Sequence, residues 1–395
     1  MKTLSEAAPR RGGARRLPAR LPQAAAVLAF VGIASGGLLW ARQGLDPGAG
    51  PLDAHRSLAA SLRPAALAGP DPLMREPVIM PVTVALLVSA AARIGDKAGS
   101  RALGDRLLAA SGGPSPGWGL GFAFDAFADG STNPPSAIYG TDTAIAAGAL
   151  LDVFEMTGDD KYLDAAAAAL DHYRAMAIRN AKGLFMAYSD QPSDRIPVYA
   201  NSALLMGAYA RVGMLAGRAG FTDLADELFR GLRSEKWETE LGAAWPYSAE
   251  NPFWNDAVNA GAIGFGIAVY SRHRPVPAAE LDAVKAYLRS FLRDDDVLEF
   301  APHAKLKPKL LRPTPIFGVG MLMSALAELG DCETARALAG RLGPYRLPED
   351  RFAYLPRDRT YFPRGQAHAV WGLATVERAC PHAAGAADPP KETAS

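Results

Sequence analysis

Along most of the chain, apolar positions recur at helical rather than strand spacing. Two kinds of helix alternate. One kind is apolar and small-residue-rich on every face and opens at a polar or Pro-marked start. Six such segments are PVTVALLVSAAARIG from Pro81, TDTAIAAGALLDVFEMTG from Thr141, NSALLMGAYARVGMLAG from Asn201, NDAVNAGAIGFGIAVYS from Asn255, TPIFGVGMLMSALAELG from Thr314 and RGQAHAVWGLATVERAC from Arg364. The other kind carries its charges on one side, as in DAHRSLAASLRPAALA from Asp53, DDKYLDAAAAALDHYRAMA from Asp159, FTDLADELFRGLRSE from Phe221 and PAAELDAVKAYLRSFLRD from Pro277. A helix apolar all round is packed on all sides, whereas a one-sided helix faces water. Starts of the first kind lie 50 to 60 residues apart, the signature of a repeat. The pattern predicts six inner and six outer helices, beginning with an outer one and ending with an inner one. The expected fold is therefore all-α, an (α/α)6 toroid over residues 52–380.

Loop lengths add a polarity to this ring. Inner-to-outer turns are short, such as TGDD at 157–160 and LGD at 329–331. Outer-to-inner connections run to about 28 residues before Tyr139 and about 20 elsewhere, long enough to signal function. All of them emerge beside the N-termini of the inner helices. Within them GWGLGFAFDAF, GLFMAYSD, GAAWPYSAE, VLEFAPHA and RFAYLPRD alternate aromatic and small residues, which predicts short β-hairpins at the mouth.

Three stretches carry a family resemblance: YGTDTAIAAGALLDVFEMTGDDKYLDAA from Tyr139, WPYS at 245–248 and RGQAHAVWGLA from Arg364. With the hairpin repeat, they resemble the six-hairpin carbohydrate-active enzymes: glycoside hydrolases, related polysaccharide lyases and glucuronyl C5-epimerase-like proteins. The resemblance implies a substrate groove at the inner-helix N-termini, where the long loops fall. It carries no family-specific catalytic signature.

The N-terminal segment changes the expected location. Residues 1–20 carry Lys2, Arg10, Arg11, Arg15, Arg16 and Arg20 against Glu6, and 21–40 are LPQAAAVLAFVGIASGGLLW, without a charge. A span of about 20 apolar residues crosses a bilayer, and the basic flank predicts a cytoplasmic N-terminus. The alternative, a cleaved signal peptide, has an apolar core of only about 7–15 residues and a small-residue cleavage site. Residues 41–51 then form a linker, and the body lies outside the cytoplasm, in the periplasm. The polar tail 381–395 is expected to be disordered. Expected partners are a polysaccharide or oligosaccharide, the inner membrane through 21–40 and proteins of envelope glycan synthesis or export. Net charge is +1 over 395 residues, which provides no basic field for nucleic acid.

Candidate chemistry gathers where the loops meet the inner helices. Trp118, Tyr139, Tyr199, Trp245, Tyr247 and Trp254 stand beside Asn201 and Asn255, and aromatic faces with polar neighbours suit sugar rings. The competing reading makes these aromatics core. Asp142 and Asp256 begin the second and fourth inner helices and are the expected acid–base pair of a glycoside hydrolase. Taken singly, each reads first as an N-cap, and a helix N-terminus lowers an Asp pKa, which suits a base better than an acid. Asp125, Asp129, Asp190, Glu250 and Asp358 are loop alternatives for the acid.

A second constellation joins Tyr361, Arg364 and His368 to the basic run HAKLKPKLLRP, with Arg312 near its end. Cations there would hold a uronate while Tyr361 or His368 removes a proton, which is lyase or epimerase chemistry. A solvated loop, or one drawn to anionic headgroups, explains the run equally well. A non-catalytic glycan-binding subunit is a further alternative, and a terpenoid cyclase lacks its acid cluster. The six histidines show no HxH or HExxH spacing, so neither metal nor cofactor is expected. Cys332 and Cys380, the only cysteines, fall in neighbouring hairpins on the short-loop face and are expected to pair there or lie close together.

Overall fold

The computed structural model describes residues 53–62, 67–111, 116–302 and 312–381. The segment 1–20, the apolar span 21–40, the linker 41–51, all but the first residue of the tail 381–395, and the lysines at 305, 307 and 309 lie outside them. No helix among the described residues is long and apolar enough to cross a membrane.

Among the described residues, twelve α-helices alternate as the repeat predicts. The outer set is α1 (Ala54–Ser61), α3 (Lys97–Ala109), α5 (Asp160–Tyr173), α7 (Ala219–Ser234), α9 (Ala278–Arg289) and α11 (Cys332–Gly340). The inner set is α2 (Pro81–Arg93), α4 (Gly140–Thr157), α6 (Tyr199–Leu215), α8 (Ala257–Ser271), α10 (Ile316–Glu328) and α12 (Pro363–Ala379). Each inner helix packs on the next and α12 packs on α2, which closes the ring. The last inner helix pairs with the first outer one: α1 lies on α12, and the Ala54 N–H donates to Glu377 Oε1 at 3.2 Å. The sixth hairpin is thus assembled from both ends of the domain.

Small residues set the inner packing. A Cβ on Gly266 of α8 would stand 2.2 Å from the Ala203 carbonyl of α6, so only glycine allows that backbone approach. In α6 every residue from Tyr199 to Ala210 is buried, as its uniformly apolar face requires.

The two helix sets are capped differently. Asp53, Asp96, Asp159 and Asp331 accept N–H groups at the starts of α1, α3, α5 and α11. Of the inner helices, only α8 has such a side-chain cap, from Asp256. At four inner helix starts, α8 included, the next loop supplies a backbone acceptor. Gly140 N donates to Tyr188 O (3.1 Å), Tyr199 N to Tyr247 O (3.1 Å), Ala257 N to Glu299 O (2.8 Å) and Ile316 N to Tyr354 O (2.9 Å). Four of the long loops are thus stitched to the start of the preceding inner helix, from α4 round to α10.

Four of the five expected loop segments contribute to antiparallel hairpins: β3 (Ala177–Asn180) with β4 (Gly183–Met186), β5 (Trp237–Thr239) with β6 (Gly242–Ala244), β7 (Leu292–Arg293) with β8 (Asp296–Val297), and β9 (Arg346–Leu347) with β10 (Arg351–Phe352). The segment GWGLGFAFDAF differs. Gly121 (φ +80°) and Ala128 (φ +51°) break its extended run, leaving one bridge, Phe124 to Asn133. A hairpin the pattern did not announce, β1 (Gly69–Asp71) with β2 (Met74–Val78), stands at the seam instead. Cys332 and Cys380 form a disulfide that ties α11 to the end of α12.

Candidate functional site

Asp142 is not a cap. Tyr139 holds the N-cap position of α4, and Asp142 lies in the first helical turn with its side chain buried. Its Oδ1 has no hydrogen-bond partner. Burial pushes its carboxyl up to about 7, against the pull of Arg364 and with the help of Asp71. The lowering expected from the helix terminus, to which the Asp142 backbone N–H contributes, loses to the larger effect of desolvation.

Asp256 is a cap, as the alternative reading had it. It accepts from Asn259 N at 2.8 Å and from Asn259 Nδ2 at 3.0 Å. Burial nevertheless raises its pKa, against those hydrogen bonds.

The electrostatic neighbours of these acids trace a polar ring around the mouth. Tyr188 lies in the field of Asp142, Tyr247 in that of Asp256, and Tyr354 in that of Arg364, Glu299, Asp71 and Asp256. Tyr188, Tyr247 and Tyr354 occupy one register of the repeat, in MAYS, WPYS and FAYL, and all are partly exposed. Of the three, sequence reasoning selected only Tyr247; the shared register was the signal for the others. Asp71 was missed because β1–β2 has no counterpart in the repeat. Glu299 was hidden in VLEFAPHA.

The second constellation is largely self-satisfied. Arg364 grips Asp71 with Nε and Nη2, each at 2.8 Å, and lies over the Phe317 ring at 4.7 Å. Arg312 is engaged by Glu299. His368 is buried, and burial lowers its pKa to about 4, so it is neutral. Its Nδ1 lies 2.9 Å from the Arg364 carbonyl and must donate there, which leaves Nε2 as the acceptor. Tyr361 is partly exposed beneath the Arg351 guanidinium, and burial raises it to about 12.

Six expected sugar contacts are corrected to structural roles. Trp118 and Trp245 are buried and donate their indole N–H to Leu107 O (2.9 Å) and Leu232 O (2.7 Å), near the C-termini of α3 and α7. Tyr139 and Tyr199 are buried, and Tyr139 Oη accepts from Asn133 Nδ2 at 2.9 Å. Asn201 Nδ2 donates to Ala187 O at 2.6 Å, and Asn255 Nδ2 to Trp245 O at 3.0 Å and Pro246 O at 3.1 Å. Both amides are buried because they grip the loop residues just before the ring tyrosines. Trp254 is half-buried, edge-on to Trp237 at 5.3 Å. Of the loop acids, Asp125, Asp129 and Asp358 accept nearby backbone N–H groups and hold turns, Asp190 accepts the Ile138 N–H of another loop at 3.1 Å, and Glu250 is exposed.

Solved structures share this architecture. The chain is similar to the α-1,6-mannanase of Salegentibacter sp. HEL1_6, solved as an inactive double Asp→Asn variant with α-1,6-mannotriose (TM-score 0.58, 11% identity, 82% of this chain and 98% of that chain). It is similar to an unsaturated glucuronyl hydrolase specific for heparin (TM-score 0.55, 10% identity, 82% and 95%). A polysaccharide lyase matches with a TM-score of 0.51 at 9% identity, over 76% of this chain and 90% of that one. The fold is thus that of the toroidal carbohydrate-active enzymes. No protein-family model matches the chain, and no curated protein matches it.

Proposed function

We propose that the protein is an enzyme that cleaves a polysaccharide by glycoside hydrolysis, with Asp142 as the general acid. The observation that carries this reading is the buried Asp142 carboxyl, one oxygen unpartnered, with its pKa raised to about 7. Such a group keeps a substantial share of its proton at neutral pH, and its oxygen without a hydrogen-bond partner can deliver that proton to a leaving glycosidic oxygen. Asp256 is the second carboxylate, either activating water or attacking the anomeric carbon. Tyr188, Tyr247 and Tyr354 offer ring faces and hydroxyls to the sugar.

The experiment is product analysis on a panel of neutral and acidic polysaccharides, α-1,6-mannan included. New reducing ends without ultraviolet absorbance support hydrolysis, and the anomer formed first separates inversion from retention. An unsaturated uronate would replace this reading with a lyase, and proton exchange without cleavage would replace it with an epimerase. Those readings need cations free to neutralise a uronate, and Arg364 and Arg312 are already held by carboxylates. Glycan binding with no turnover in any assay would favour a non-catalytic subunit.

The proposed location is extracytoplasmic, in the periplasm, with 21–40 as a membrane anchor. The Cys332–Cys380 disulfide supports an oxidising compartment. Protease added to intact spheroplasts should digest the body. Full protection would place it in the cytoplasm.

A further inference from the structure

A cavity of about 250 Å³ lies lower in the bore, away from the polar ring. Ile145 and Gly148 of α4, Leu204 of α6, Phe265 of α8 and Trp371 of α12 form its walls. Phe265 and Trp371 meet edge-to-face at 4.9 Å, making a flat apolar side. Towards the short-loop face the lining becomes charged, with Arg93, Arg211, Arg272 and Arg378 opposite Asp152 and Glu155.

The charges have an ordinary explanation in part. Arginines near helix C-termini offset the negative end of the helix dipole. They also pair with carboxylates: Arg211 with Asp152 (2.7 Å) and Glu155 (2.9 Å), Arg93 with Asp152 (3.8 Å), and both Arg93 and Arg272 with Glu328. Four guanidiniums face three carboxylates, so the side chains carry one positive charge in excess. Crowding tells on Arg272, which burial and the neighbouring Arg93, Arg378 and Arg211 lower to about 10.

Two further observations go beyond this pairing. Arg93 Nε, on a side chain only 5% exposed, makes no hydrogen bond and comes no nearer than 3.8 Å to its ion-pair partner Asp152 Oδ2. A buried donor of that kind normally finds an acceptor. Gly148 sits in the middle of α4, where glycine weakens a helix relative to alanine. Its wall neighbours Gly207 and Gly266 are needed for backbone approach, but a Cβ on Gly148 would meet nothing within 4 Å. Glycine there keeps volume open without serving any packing contact.

We propose that this cavity is a binding site for a small organic monoanion, a carboxylate carried on an apolar ring or short chain. The apolar body lies against Phe265 and Trp371 in the space that Gly148 leaves, and the carboxylate faces the arginines. Asp152 and Glu155 at the same rim exclude a dianion by repulsion. The volume is below the roughly 300–1,000 Å³ of sites for drug-sized ligands, so the ligand is small. The site is independent of the proposed glycan chemistry, which belongs to the other face.

Calorimetry and thermal shift on the full chain test this, with benzoate and hexanoate as probes. Benzyl alcohol, hexanol and inorganic phosphate at matched ionic strength are the comparisons. The expected result is saturable binding and a rise in Tm with the two carboxylates only. Gly148→Leu, which fills the open space, should weaken benzoate binding at least tenfold while the far-ultraviolet circular dichroism stays native. Arg378→Gln, on the exposed rim, should weaken it several-fold and serves if Gly148→Leu does not fold. The proposal is overturned by absence of saturable binding to either carboxylate, by phosphate acting as well as benzoate, or by variants that bind like the wild type.

Discussion

Burial and charge pull Asp142 in opposite directions, and the outcome sets two pH dependences. Its folded pKa of about 7 lies above the ordinary aspartate value of 3.8. The folded state therefore keeps a proton that the unfolded chain has released, and stability falls as pH rises between those values. At pH 8, Asp142→Asn should be more stable than the wild type by roughly 1–4 kcal/mol, with the gap closing below pH 4, by denaturant titration. The same substitution should lower kcat by at least about a thousandfold if Asp142 is the acid. The alkaline limb of kcat/KM should fall near pH 7 and vanish in that variant. Sequence reasoning picked out this residue but assigned the wrong sign to its titration. Local sequence displays a helix start, whereas desolvation is imposed by loops far away in the chain.

At the scale of elements, the side chains that looked most like sugar contacts turn out to hold the mouth together. Asn201, in the first turn of α6, and Asn255, just before the N-cap of α8, do the same work on successive loops. Asn201→Ala or Asn255→Ala leaves buried carbonyls unpaired and should cost about 1–3 kcal/mol in chemical denaturation. Any loss of activity should appear with that loss of stability and not as a selective rise in KM. Trp245→Phe removes the indole bond to Leu232 and should cost about 1 kcal/mol, again without a selective effect on KM. The helices were legible because two burial environments leave two distinct hydrophobic patterns. The site was less so, since a polar residue at a helix start reads alike whether it faces solvent, substrate or a loop carbonyl. Register within the repeat separates these cases: Tyr188 and Tyr354 share the position of Tyr247, and only Tyr247 was chosen.

The whole molecule is a ring whose seam is made by distant parts of the chain. α1 and α2 meet α12, the Asp71–Arg364 pair spans the same seam, and the disulfide fixes the far end of α12 to α11. Cross-linking across 48 residues restricts the unfolded chain by up to about 4 kcal/mol. The double substitution Cys332→Ser, Cys380→Ser should lower Tm by several degrees, measured beside the reduced wild type. The six-fold count that predicted closure came from periodicity alone, but nothing periodic announced β1–β2 at the join.

That seam also imposes an order in time. A chain growing from its N-terminus has α1 touching only α2 until its main partner, α12, arrives some three hundred residues later. Five hairpins can form locally as they emerge, but the sixth cannot. Until then the apolar flank of α2 and the loop edge that ends in Asp71 stand open, a vacancy shaped for a helical hairpin from any copy nearby. The hazard for this protein is therefore an exchange of last helices between neighbouring chains, and whatever holds the newborn body apart from its copies guards the fold.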